Sequence, residues 1–136
     1  MTRLVILASG AGSLTRAVLA AVADETVRAR VVGIVSDRFD AGVLDVAGVS
    51  AVPAAVVSPW AHADRPDWDL AMADTLRCLS PDWVVSLGFM RILGPATLDA
   101  FPDRILNTHP ALLPAFPGVH AVRDALARGV AVTGCS

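Results

Sequence analysis

With 136 residues, 54% of them hydrophobic, the chain has the length of one ordinary domain and enough apolar material for a core without staples. Its 11 basic and 13 acidic residues leave a net charge of −2, which excludes a strong basic field and, with it, nucleic acid as the main partner. Every basic residue is Arg, so both a Schiff-base lysine and a phosphate-loop lysine are excluded.

Strand-like and helical stretches alternate along the chain. Residues 4–8 (LVILA) form a short continuous apolar run, the pattern of a strand buried on both faces. Ser9-Gly10-Ala11-Gly12-Ser13 follows as a turn, and 14–22 reads as an Ala-rich helix with Ser13 as its N-cap. Residues 30–35 (RVVGIV) predict a second strand, ended by Ser36-Asp37-Arg38. A short helix is expected over 41–47, stopped by Gly48. Residues 52–57 give a weaker third strand, and Pro53 makes it begin late or lie near an edge. The clearest helix runs over 66–79: Trp68, Met72, Thr75, Leu76 and Leu79 recur at helical spacing, Asp64 can cap it, and Pro66 sits in its first turn. Residues 82–87 (DWVVSL) predict a fourth strand, 88–91 a loop, 95–101 a short helix and 104–107 a fifth strand. A loop with Pro110, Pro114, Pro117 and Gly118 leads to a helix over 120–128, stopped by Gly129, and 130–133 starts a sixth strand.

This alternation implies an α/β fold, a doubly wound, mostly parallel, Rossmann-like sheet, in a single domain over residues 1–136. Ligands of such sheets bind beyond the carboxyl ends of the strands, which singles out the loops after strands one, four and five. No apolar run approaches the ~20 residues of a membrane-spanning helix. Met1-Thr2-Arg3 enters the first strand without a signal-peptide layout, so a cytoplasmic protein without membrane contact is expected. Cys78 and Cys135 have no metal-type spacing; they are expected as reduced thiols, Cys78 as a small core residue, and no metal is expected. Trp60, Trp68 and Trp83 are expected to pack, and His62 to be solvated in a polar loop.

Three segments can carry chemistry. Gly10 and Gly12 let the backbone of the first loop turn tightly and approach an anion at a helix N-terminus. Thr15 stands where a dinucleotide fingerprint has its third Gly, which tilts the reading towards a mononucleotide or sugar phosphate; Asp37 could still bind a ribose. A tight turn without a ligand is the alternative. In the second segment, Asn107 and His109 stand two apart at a strand end, where residues i and i+2 point the same way. The imidazole is a general acid or base near neutral pH, and the carboxamide can stabilise an oxyanion. The alternative is a His that caps the strand end beside an Asn that serves the turn. In the third, Gly88-Phe89-Met90-Arg91-Ile92-Leu93 is an apolar loop with one Arg, suited to a flat ligand that carries an anion. Its alternative is a core-lining loop whose Arg reaches solvent. His120, beside Gly118 at a helix start, is a weaker candidate for the same crevice.

These segments, with the third read from Ile105 through Asn107-Thr108-His109-Pro110-Ala111-Leu112-Leu113-Pro114-Ala115-Phe116-Pro117-Gly118, resemble the phosphoribosylglycinamide formyltransferases, folate-dependent enzymes of purine synthesis. The match runs in register from the first strand to Ser136. The resemblance implies the formyltransferase fold and a formyl transfer from 10-formyltetrahydrofolate to the amine of glycinamide ribonucleotide. His109 matches the general acid and Asn107 the residue that holds the formyl oxygen, in contact with the folate as well. Gly12, Ser13 and Leu14 match the loop that grips the ribonucleotide phosphate, and Gly88 and Pro110 line its glycinamide end. Arg65, Met90, Arg91, Ile92 and Leu93 match folate-binding positions. The expected partners are these small molecules, and the expected assembly is a monomer or homodimer.

Two departures accompany the match. Leu14 stands where the family usually has Asn, so less side-chain contact with phosphate is expected. The family's catalytic Asp follows the sixth strand, and this sequence reaches only Cys135-Ser136, so the C-terminal part of the fold is expected to be missing. Methionyl-tRNA formyltransferase is a rival on the same fold, but its loop typically runs Leu-Leu-Pro-Arg-Trp-Arg-Gly where this chain has Leu112-Leu113-Pro114-Ala115-Phe116-Pro117-Gly118. Formyltetrahydrofolate deformylase usually carries an extra N-terminal domain. A non-catalytic folate- or nucleotide-binding fragment is the remaining alternative. The Pro-rich loop beside His109 predicts a cis Leu113–Pro114 bond.

Overall fold

A computed structural model describes all residues, Met1–Ser136. The chain falls into two compact units, Met1–Leu106 and Asn107–Ser136. Five strands, β1 (Thr2–Leu7), β2 (Ala29–Ser36), β3 (Ala54–Val56), β4 (Trp83–Ser86) and β5 (Ile105–Asn107), form one sheet in the order β3-β2-β1-β4-β5. The pairings β1–β2, β1–β4 and β2–β3 are parallel. The helices are α1 (Ser13–Ala23), α2 (Val43–Val49), α3 (Arg65–Leu79), α4 (Pro95–Ala100) and α5 (Ala121–Arg128), with a short 3-10 turn at Pro59–Ala61.

The period-two alternation of β1 explains the two layers of helices. Val5 and Leu7 point to one face, where they pack with Val35 and Val84 against Trp68, Met72 and Leu76 of α3. Ile6 and Ala8 point to the other, where they pack with Ile34 against Val43 and Ala47, with Val18 and Leu19 of α1 alongside. β1 is therefore covered on both sides, as its unbroken apolar run requires. β3 starts only after Pro53 and lies at the sheet edge.

Several boundaries differ from those expected. Ser13 is the first helical residue of α1; the N-cap is Gly12, with φ 81°, and no side chain caps the helix. Gly48 lies inside α2, which continues to Val49 because the Ser50 N–H still reaches the Val46 carbonyl. Residues 130–133 form no strand. Of residues 130–136, backbone N–H bonds are made only by Val130, to Ala125, and by Ser136, to His109, so no ladder exists there. Cys78 is exposed: α3 buries Trp68, Asp69, Met72, Ala73 and Leu76, and position 78 lies off that stripe. Trp60 is 88% exposed and does not pack in the core. No helix is long and apolar enough to cross a membrane.

Candidate active site

The sheet order reverses between β1 and β4, and this is where a doubly wound sheet opens a ligand crevice. The loops that leave these two strands are tied together. Ser9 N–H donates to the Gly88 carbonyl at 3.2 Å, and Met90 N–H donates to Ser9 Oγ at 2.8 Å. Sequence reasoning overlooked Ser9 as a bridge, because nothing in a linear pattern says which loop lies beside which.

The first loop is held close to α2. Val43 N–H donates to the Gly10 carbonyl at 3.0 Å, and a Cβ placed on Gly12 would meet Val43 at 3.0 Å. This crowding and the left-handed φ both require glycine at position 12. The first intrahelical bond of α1 runs from Arg16 N–H to the Gly12 carbonyl. The N–H groups of Ser13, Leu14 and Thr15 thus lack intrahelical partners, and no acidic side chain occupies the first turn. Ser13 and Leu14 are exposed, so this end of α1 faces solvent with its donors free.

The loop after β4 is anchored at several points. Gly88 has φ 73°, and the Phe89 ring stacks on Trp68 with centroids 6.4 Å apart and planes at 10°. Trp68 is fixed in turn by its indole N–H, which donates to the Val57 carbonyl at 2.8 Å. An Arg65 terminal nitrogen donates to the Ile92 carbonyl at 2.6 Å. Asp69, four residues further along α3, accepts from Gly94 N–H (3.0 Å), Ala96 N–H (2.7 Å) and Thr97 Oγ1 (2.6 Å). Met90 and Ile92 remain 64% and 77% exposed. Arg65 and Arg91 share the lining of a cavity of about 400 Å³ with Trp60, His62 and Trp68. His62 is less free than expected, since its Nδ1 lies 3.3 Å from Asp67 Oδ2.

Asp37 is not open to a ribose. It is 2% exposed, and its Oδ2 lies 2.8 Å from Arg91 Nε. Its neighbour Asp40 is held below the ordinary carboxyl value by the Arg38 guanidinium, which bonds both of its oxygens. Asp69 went unrecognised in the sequence, although an acid on the buried stripe of a helix, four residues after Arg65, is a readable sign of an internal cap.

In the second unit, Asn107 closes β5 and is exposed; His109 is half-buried two residues on, and Pro110 is exposed. The His109 backbone is paired in both directions with Ser136, at 2.7 and 2.8 Å. Its ring Nε2 lies 2.8 Å from the Phe116 carbonyl oxygen. The loop between them carries the expected cis Leu113–Pro114 bond, with Phe116 at φ 51° and Gly118 at φ 94°. Ser136 Oγ closes the loop by donating to the Ala111 carbonyl and accepting from Leu113 N–H. His120 is the N-cap of α5, and its carbonyl accepts from Asp124 N–H. No group of three His, Cys, Asp or Glu side chains that could hold a metal ion is present.

The first unit offers a bare helix N-terminus and a braced apolar loop with two arginines; the second carries the Asn107 carboxamide and the His109 imidazole. The chain is similar to known proteins in sequence and in fold. The sequence model of the family described as formyl transferase matches residues 2–136. A phosphoribosylglycinamide formyltransferase of Mycobacterium tuberculosis is 52% identical over 135 residues, which are 98% of this chain and 61% of that protein. One of Bacillus subtilis is 32% identical over 98% of this chain and 69% of its own length. The crystal structure of glycinamide ribonucleotide transformylase 1 from Symbiobacterium toebii superposes with a TM-score of 0.96 at 42% identity, covering 99% of this chain and 64% of that one. The chain therefore spans about 61% of the length of its mycobacterial relative. With a family match over all but the first residue and a shared fold, the chain belongs to the formyl transferase family.

Proposed function

We propose that the chain transfers a formyl group from 10-formyltetrahydrofolate to the amine of glycinamide ribonucleotide, as one formyltransferase domain over residues 1–136. The observation that carries this reading is the pairing of Asn107 and His109 two residues apart at the end of β5, in a chain of this family. The relatives' names supply the substrate class.

The amine lone pair attacks the formyl carbon, a C–N bond forms, and the carbonyl π pair moves onto oxygen. The Asn107 carboxamide N–H donates to that developing oxyanion. Collapse returns the pair to the carbonyl and breaks the bond to the folate nitrogen. His109 delivers a proton to the leaving nitrogen, the new amide nitrogen sheds its extra proton to water, and the imidazole is reprotonated from water. Gly12, Ser13 and Leu14 would hold the phosphate with backbone N–H groups, so Leu14 need contribute no side chain. Gly88 and Pro110 would line the glycinamide end, and Arg65 with Met90 to Leu93 the folate. This mechanism requires no metal. The substrates are small molecules, and the setting is the cytoplasm.

The test is formyl transfer from 10-formyltetrahydrofolate to glycinamide ribonucleotide. It is run with the chain Met1–Ser136 and with a version extended past Ser136 to the length of its relatives. Transfer by either supports the proposal. Absence of transfer by both, with tetrahydrofolate still bound, points to a binding protein instead.

A further inference from the structure

Arg91 is the one basic side chain that lines both of two cavities. The first, about 400 Å³, also holds Arg65; the second, about 390 Å³, is bounded by Asp37, Arg38, Phe39 and Trp60. A free arginine samples many rotamers, and holding one orientation costs entropy that a ligand must otherwise supply. Here the orientation is set from beneath. The Asp37 side chain is 1% exposed, and its Oδ2 accepts from Arg91 Nε at 2.8 Å, whereas the Arg91 side chain keeps 41% of its surface. Contact at Nε leaves the terminal nitrogens of the guanidinium free to donate outward. Arg38, the other cation of the second cavity, spends its guanidinium hydrogen bonds on both oxygens of Asp40, and only its charge reaches Asp37. The remaining Asp37 oxygen, Oδ1, is sealed from solvent without a hydrogen-bond partner. Arg91 is therefore the hydrogen-bonded counter-charge of the buried carboxylate, just as the direction of Arg91 depends on the carboxylate.

We propose that Asp37 is a positioning residue that fixes the Arg91 guanidinium for an anionic group of the formyl donor. The proposal rests on the formyltransferase reading above. It assigns the end of β2, which that reading leaves without a role, to donor recognition.

The experiment compares wild type with Asp37→Asn, which keeps the shape and removes the charge. Affinity for tetrahydrofolate is expected to fall about tenfold, and KM for 10-formyltetrahydrofolate to rise alike, with kcat and KM for glycinamide ribonucleotide held within about twofold. In an Arg91→Ala background, Asp37→Asn should add no further loss. Should Asp37→Asn fail to fold, Arg91→Lys replaces it: the ammonium still neutralises Asp37 but has no second pair of donors, and donor affinity should fall with the fold intact. Equal tetrahydrofolate affinity in wild type and the folded variant overturns this inference alone. Equal losses in both substrates' KM values also overturn it, because a merely structural role predicts that result. Failure of wild type to bind tetrahydrofolate overturns the formyl-donor reading and this inference with it.

Discussion

The His109 ring is tied to the backbone of its own loop, with Nε2 at 2.8 Å from the Phe116 carbonyl oxygen. A carbonyl oxygen only accepts, so Nε2 carries a proton and the neutral ring keeps its lone pair on Nδ1. In the proposed transfer, the proton for the leaving nitrogen then comes from Nδ1 of the imidazolium, while the Phe116 contact holds the ring in place. Nitrogen-15 spectra at high pH should show His109 as the Nε2–H tautomer; an Nδ1–H tautomer there contradicts the assignment. His109→Ala should lower kcat by about 10²–10⁴ without unfolding the protein.

Asn107 makes a separate prediction, because its proposed role is to stabilise charge instead of moving a proton. Asn107→Ala should reduce kcat by about 10²–10³ and leave substrate KM values nearly unchanged, as expected for a donor whose bond strengthens in the transition state. Asn107→Asp should be worse than Asn107→Ala, since a carboxylate repels the oxyanion. Steady-state kinetics of both variants decide it: a loss confined to KM would move Asn107 from catalysis to binding.

The layout of the fold is legible in the sequence because it depends on local patterns. Apolar runs mark β1 and β2, Asp64 and Pro66 mark the start of α3, and Gly129 marks the end of α5. The residues of the proposed chemistry, Asn107 and His109, stand out in the sequence as rare residue types at the end of β5. What does not show is contact across the fold. The Ser9 bridge to Met90 spans 81 positions, and Arg91 reaches back 54 positions to Asp37. Asp37 looks free for a ribose in a linear reading because its partner lies on another loop. Residues 130–133 fail for a related reason: a strand needs a neighbour to accept and donate its backbone bonds, and apolar character alone supplies none.

Gly12 should be the most sensitive glycine of the first loop. Its φ of 81° disfavours any Cβ, and an added methyl would sit 3.0 Å from Val43. Gly12→Ala is expected to cost about 1–2 kcal/mol for the left-handed backbone alone, with some further loss from the contact. At Gly10 an added Cβ meets nothing within 4 Å, so Gly10→Ala should be far milder. Urea unfolding of the two variants measures the difference. Gly12→Ala should also raise KM for the ribonucleotide and spare that for the folate, because the displaced N–H groups are those proposed to hold the phosphate. Equal stability of the two variants would remove the argument from backbone strain.

Asp69 makes α3 the scaffold of the loop after β4. It is 3% exposed, yet it faces three donors at the start of α4: Gly94 N–H, Ala96 N–H and the Thr97 hydroxyl. α4 has no side-chain cap from its own N-cap residue, Gly94, so a carboxylate from another helix takes that place. It also suits the positive end of the helix. Asp69→Ala strands these donors in a buried setting and should cost about 2–4 kcal/mol. Asp69→Asn keeps one acceptor oxygen and should fall between. Gly94→Ala probes the same contact from the other side, because its methyl would lie 2.5 Å from Asp69 Oδ2. Combined with Asp69→Ala, the Gly94→Ala penalty should shrink, since the clashing oxygen is gone. Thermal unfolding of the single and double variants gives this coupling directly; strict additivity would show that Asp69 and Gly94 act independently and that α4 is held by other contacts.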